Sequence, residues 1–174
     1  MNLARVDWLV VHTAGSYDWR KKRVVHQLAA TVRAYHMMPV ARHDVEGNLV
    51  KGTGGNGWSD IGYHAYIEHD GTIIPGRSEQ TAGDHVKGFN RHSKGICVSG
   101  HGDFEAFNPE QLSSLVLRLT RWCRQHQLPA SRVIGHREAD DHGAPKVMKT
   151  CPGLLVDMDA IRDLVGAKLI EASA

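Results

Sequence analysis

Two short β-branched runs, Asp7–His12 (DWLVVH) and Arg132–His136 (RVIGH), each end on a histidine. Apolar runs of this length read as strands buried inside a sheet. Helical patterns alternate with them. Lys22–His36 places Val25, Leu28, Ala29, Val32, Tyr35 and His36 at i, i+3, i+4 spacings, with Pro39 just beyond, which predicts an amphipathic helix. Asn108, Pro109 and Gln111 read as N-cap, first helical residue and capping-box partner. Leu112, Leu115, Val116, Leu119, Trp122 and Cys123 then form one apolar stripe, and Met158, Ile161, Leu164, Val165 and Leu169 pattern a terminal helix. Tyr63–Arg77 reads as two strands turning at His69-Asp70-Gly71, and Gly95–Gly100 as another buried strand. Strands alternating with helices, plus one hairpin, predict an α/β fold: a central mixed β-sheet flanked by helices.

The 174 residues suffice for one domain with a sizeable core, so residues 1–174 are read as a single domain with its core over 7–165. Residues 40–60 interrupt the periodicity with five glycines and predict a long loop, with a small hairpin at Glu46-Gly47-Asn48. Its GTGGNG has no following Lys-Ser/Thr and no strong strand before it, so it is not read as a phosphate loop. A net charge of +2 is too small to argue for nucleic acid, and Arg20-Lys21-Lys22-Arg23 is too short for a binding arm. No run approaches a membrane span or a signal-peptide core, which predicts synthesis and folding in a cytoplasm.

Three scattered cysteines argue for reduced thiols. Cys97 and Cys123 sit in apolar runs and read as core residues. Cys151 differs: it lies in Lys149-Thr150-Cys151-Pro152-Gly153, a polar turn beside a cation. Strand ends in an α/β sheet are where polar side chains converge, so His12, His136 and Cys151 form a candidate group. Two imidazoles and a thiolate have the composition of a three-ligand catalytic zinc site. The spacing alone leaves open two strand-capping histidines with an inert thiol, or a Cys151 nucleophile with His136 as base. No H-E-x-x-H occurs.

Five segments in this order, VVHTAGS, SDIGYHAYIEHDGTIIPGR, AGDHVKGFNRHSKGICVSG, GHRE and KTCPG, resemble the zinc-dependent N-acetylmuramoyl-L-alanine amidases, a family that includes small phage lysozyme-type amidases and peptidoglycan recognition proteins. The likeness covers roughly residues 7–165, and its fold agrees with the mixed sheet read above. The resemblance implies one Zn2+ per chain held by His12, His136 and Cys151. It makes Tyr63 and Lys149 catalytic. Lys146 rivals Lys149, because the segment before the cysteine departs from the phage-type pattern; His142 in the same loop reads as a surface residue. His64 and His85 fall in matched blocks and are candidates to line a substrate groove, although His64, next to Tyr63, would point to the opposite face of a regular strand. Glu138 is a candidate to orient a ligand from behind. Asn90 and Ser93 read as fixing a loop edge. The 40–60 loop is a second departure, placed to flank the groove.

The resemblance implies hydrolysis of the amide between N-acetylmuramic acid and L-alanine in peptidoglycan, with peptidoglycan or muropeptides as partners and a monomeric chain. The expected setting is a phage or prophage endolysin, made in the host cytoplasm without a signal peptide and acting on periplasmic peptidoglycan after holin-type release. A cytoplasmic amidase recycling anhydromuropeptides is the enzymatic alternative; its pattern carries Asp in place of the cysteine, which Cys151 departs from. A non-catalytic peptidoglycan-binding module is the other alternative, and such chains typically lack that cysteine.

Overall fold

The computed structural model describes residues 2–43, 49–51, 54–146 and 149–171. The first β-branched run forms β1 (Trp8–Thr13). A hairpin of β2 (Tyr17–Asp18) and β3 (Arg23–Val24) follows, then α1 (Ala29–Met37) and the short pair β4 (Arg42–His43) and β5 (Leu49–Lys51). Next come β6 (Ala65–Ile67), β7 (Ile73–Pro75), β8 (Ser93–Val98), α2 (Pro109–His126), β9 (Val133–Gly135) and α3 (Met158–Glu171).

Five strands make the central sheet in the order β7-β6-β8-β1-β9. β6, β8, β1 and β9 run parallel, and β7 returns antiparallel through the hairpin expected at His69-Asp70-Gly71. The sheet is therefore mixed, with helices on its faces, as expected. Side chains alternate across it. Leu9, Val11, Ile96, Val98, Ala65, Ile67 and Val133 face one way and pack with Leu115, Leu119 and Trp122 of α2 and Ile161 and Val165 of α3. Tyr66 and Cys97 face the other way, against Ala29 and Val32 of α1.

α2 begins as the sequence predicts: Asn108 Oδ1 accepts the Gln111 N–H at 2.8 Å, and Gln111 Oε1 accepts the Asn108 N–H at 3.3 Å. The helix expected over Lys22–His36 is corrected at its start. It begins at Ala29, and the residues before it form the β2–β3 hairpin. Asp18 Oδ1 accepts the N–H groups of Arg20 and Lys21, each at 3.0 Å, and Lys22 takes φ 50°, so the chain turns where a helix would have continued. Val25, Leu28 and Tyr35 of the expected stripe are exposed; Ala29, Val32 and His36 are buried. The loop expected over 40–60 contains the antiparallel β4–β5 pair. The turn at Glu46-Gly47-Asn48 lies outside the described residues, as does any tail beyond Glu171.

Candidate metal centre

β1 and β9 are parallel neighbours with Val11 opposite Gly135. One residue further along each strand stand His12 and His136, so parallel pairing brings both imidazoles to one edge of the sheet. Their ring centroids are 4.7 Å apart. Cys151 reaches them from the loop before α3, with Sγ 3.7 Å from His12 Nδ1. One donor atom from each of the three residues fits within a 4.8 Å span, the only such group of three among the described residues.

The cysteine loop is held from three directions. Thr13 Oγ1 donates to Pro152 O at 3.0 Å, which ties the loop to β1. Arg137 donates from its backbone N–H to Cys151 O at 2.7 Å and from its guanidinium to the carbonyls of Gly153 and Val156. Asp103 accepts the Thr150 hydroxyl at 2.7 Å and the Leu154 N–H at 2.8 Å. Gly153 has φ +123°, and a Cβ there would strike the Gly102 backbone, so this contact requires glycine.

Behind His12 lies a chain of polar groups. Ser93 donates its one hydroxyl proton to Phe89 O at 2.9 Å. Its oxygen is then an acceptor for His85 Nε2–H, 3.5 Å away at the outer limit of a hydrogen bond. His85 Nδ1 is left as an acceptor and takes the proton of His12 Nε2 at 3.1 Å. That order leaves the Nδ1 lone pair of His12 facing Cys151, the tautomer a metal ligand needs. Burial, with the neighbouring His85 and His136, keeps His12 well below the usual imidazole pKa. Burial also lowers His136, to about 4, with the Lys149 charge adding to the effect. Both rings are therefore neutral at pH 7. Burial pushes the Cys151 thiol up to about 11, against an opposing pull from Lys149, so binding a metal there displaces a thiol proton.

A family profile described as N-acetylmuramoyl-L-alanine amidase (Amidase_2) matches residues 2–154. The chain belongs to this family. The endolysin of Escherichia phage T7 is 47% identical over 64 residues, 34% of this chain and 42% of its own length. The chain thus aligns with about two fifths of that relative. Peptidoglycan-recognition protein SC1a/b of Drosophila simulans is 28% identical over 138 residues, covering 79% of this chain and 65% of its own. Among solved structures, the N-acetylmuramoyl-L-alanine amidase LysC from Clostridium intestinale superposes with a TM-score of 0.69 over 95% of this chain and 86% of its own. At 23% identity that likeness concerns the fold.

The other family-matched residues fall at different depths. The Tyr63 ring lies 5.2 Å from the His12 ring, on the side facing α1. Burial, with Cys97 and Cys151 nearby, raises its phenol well above 10, so it stays protonated. Lys149 is exposed beside Cys151, and its charge acts on His12, His136 and the thiol. Lys146 is also exposed, before the two undescribed residues 147 and 148. His142 stacks on Trp8 at 4.2 Å.

His64 is 3% exposed, with both ring nitrogens engaged: Nδ1 accepts the Gly95 N–H and Nε2 donates to Thr81 O. Burial lowers its pKa to about 4. His85 is buried behind His12. These two rings therefore stand behind His12 instead of on an open wall. Asn90 Oδ1 accepts the N–H groups of His85 and Val86 and fixes that turn. Glu138 accepts the Gly135 N–H at 2.7 Å and pairs with Arg162 of α3 at 3.0 Å, locking the turn that carries His136.

Sequence reasoning missed Thr13, Arg137 and Asp103, which pin the cysteine loop. It also missed His36, whose Nδ1 accepts the Gly62 N–H at 3.1 Å and whose ring packs 5.7 Å from Tyr63. Arg137 carried a signal, since it directly follows His136. The others depend on contacts between distant segments.

Proposed function

We propose that this chain is a zinc-dependent hydrolase of the amide joining N-acetylmuramic acid to L-alanine in peptidoglycan, acting as a phage-type endolysin. The observation that carries the proposal is the His12, His136 and Cys151 donor group within 4.8 Å, flanked by Tyr63 and Lys149. Two imidazoles and a soft thiolate suit zinc, and a set of three suits a catalytic site better than a structural one. When bound, zinc supplies a Lewis acid and makes water nucleophilic near neutral pH.

The chain's own groups do the rest. The Lys149 ammonium, exposed beside the thiol, offsets the negative charge that develops on the carbonyl oxygen as water adds. The protonated Tyr63 phenol donates a hydrogen bond into the same reacting centre. The proton released by the attacking water passes to the alanine nitrogen, which leaves as the amine when the C–N bond breaks. A groove of about 770 Å³ along α1, lined by Ala14, Ser16, Gln27, Tyr35, Met38 and Tyr63, adjoins the metal centre through Tyr63 and is the proposed seat of the substrate. In this reading the whole chain is one amidase domain and its partner is peptidoglycan. It reaches the wall by holin-type release. No described helix is long and apolar enough to cross a membrane.

The test is metal content alongside peptide release from purified sacculi, for the parent chain and Cys151→Ala. The parent is expected to carry about one zinc and to release peptide, and the variant to lose both. Zinc-bearing parent that leaves sacculi intact but cleaves soluble anhydromuropeptides would replace the lytic reading with recycling. Full activity in Cys151→Ala would refute the site.

A further inference from the structure

The β2–β3 hairpin and the loop after β8 build an aromatic surface that the amidase site does not use. Tyr17 stacks on Phe104 at 4.2 Å, Trp19 meets Tyr17 edge-on at 4.6 Å, and His101 meets Phe104 at 4.8 Å. Trp19 is 72% exposed and Phe104 45%. Exposed large rings cluster this way on a soluble surface when they meet a ligand. They are also held in place. Asp18 caps the hairpin turn, Gly15 N–H donates to Gly100 O at 2.9 Å, and Phe104 N–H donates to His101 O at 2.9 Å. Rigid aromatic side chains lose little entropy on binding.

The platform is continuous with the metal centre. Asp103, between His101 and Phe104 in the chain, is the residue that accepts Thr150 and Leu154 of the cysteine loop. At its other end, Tyr17 follows closely on Thr13, which holds Pro152. The segments that carry Tyr17 and Phe104 are thus the same ones that pin the cysteine loop. Arg20, Lys21, Lys22 and Arg23 are exposed alongside.

We propose that Trp19 and Phe104, backed by Tyr17, form a saccharide subsite that holds a sugar ring of a glycan strand next to the metal centre. A pyranose ring turns a face of C–H bonds, with small positive partial charges, toward the negative face of an aromatic ring, while its hydroxyls stay at the rim. His101 and Asp103 supply polar rim groups, and the cationic run complements carboxylates on attached peptides. The ligand class rests on the peptidoglycan reading above. A lipid surface fits less well, because the exposed rings form a small stacked group with polar side chains among them, not a broad apolar face.

The experiment compares the parent with Trp19→Ala, Trp19→Phe and Phe104→Ala, all checked for folding by circular dichroism. Co-sedimentation with purified sacculi uses each protein in a Cys151→Ala background, so binding is read without hydrolysis. A peptide-free β-1,4-linked N-acetylglucosamine hexamer is titrated while indole fluorescence is followed. The two alanine variants are expected to bind sacculi about tenfold or more weakly. Trp19→Phe should retain most of the binding, and only Trp19-containing proteins should give the full fluorescence response to the hexamer. Equal sacculus binding by all variants would overturn the proposal. So would Trp19-dependent binding to anionic phospholipid vesicles without any response to the hexamer. An intact platform effect in a parent that does not hydrolyse would instead count against the amidase reading alone.

Discussion

His85 is the residue whose importance exceeds its visibility. It is buried, yet its Nδ1 decides which nitrogen of His12 carries the proton. His85→Ala is expected to weaken zinc binding about 10- to 100-fold, by letting His12 adopt the unproductive tautomer or turn its ring. Competition against a chelator measures this without relying on turnover. A merely structural role would lower thermal stability and leave zinc affinity unchanged. The histidines at strand ends were legible in the sequence, because a β-branched run that stops on a polar residue marks a sheet edge. The arrangement of His85 and Ser93 behind them was not. It exists only because β8 runs beside β1, bringing Gly95 so close to the His85 ring that a Cβ at Gly95 would collide with it. Tyr63 and Lys149 were legible only through the likeness of their segments to a family, since neither residue type at those positions points to chemistry unaided.

At the scale of elements, one ionic network joins β8 to α2. Lys94 is fully buried, and its Nζ donates to Glu79 Oε2 at 2.6 Å; Glu79 also accepts the Trp122 indole N–H at 3.0 Å. Burial alone would raise the Glu79 pKa, but the bonds from Lys94 and Trp122 outweigh it and hold the carboxyl at about 2. A depressed folded-state pKa contributes stability that is present above the ordinary carboxylate value of 4.5 and is lost as pH falls through about 2. Glu79→Gln should therefore cost about 1–3 kcal/mol at pH 7, since it leaves a buried ammonium with a weaker partner. The difference from the parent in thermal melts should shrink as pH falls from about 4.5 toward 2. α2 was the most legible element, with cap, proline and stripe all in register. α1 was misjudged at its start because the Asp18-capped turn contains no glycine, proline or asparagine, while the apolar spacing runs on past it. Tertiary pairing of Tyr17 with Val24 and Asp18 with Arg23 won over that period.

For the whole molecule, the donors sit in β1, just past the end of β9 and on a loop, around three apolar clusters built without them. The cysteine loop is bonded to Thr13, Arg137 and Asp103 through groups other than the thiol. Stripping the metal should leave far-UV circular dichroism at room temperature unchanged. Adding zinc back should raise the melting temperature in proportion to the logarithm of zinc concentration. Loss of the native spectrum on chelation would show instead that the metal is part of the core. The overall architecture was readable because hydrophobic period, hairpin turn and helix cap agreed with one another. The approach of segments remote in sequence was not, since nothing local encodes that Gly102 must meet Gly153.

β1 is an interior strand of the sheet, and its partners begin at Ser93 on one side and Val133 on the other. On a ribosome, β1 must therefore wait, with both edges unpaired, until β8 and then β9 have emerged. Such long-range parallel pairing is slow and exposes sticky edges meanwhile. The strand carrying His12 is thus completed late, and the His12, His136 and Cys151 group comes together only after nearly all the described chain has been synthesised. A truncated translation product that stops before Gly135 would have no assembled centre, whatever else of it had folded.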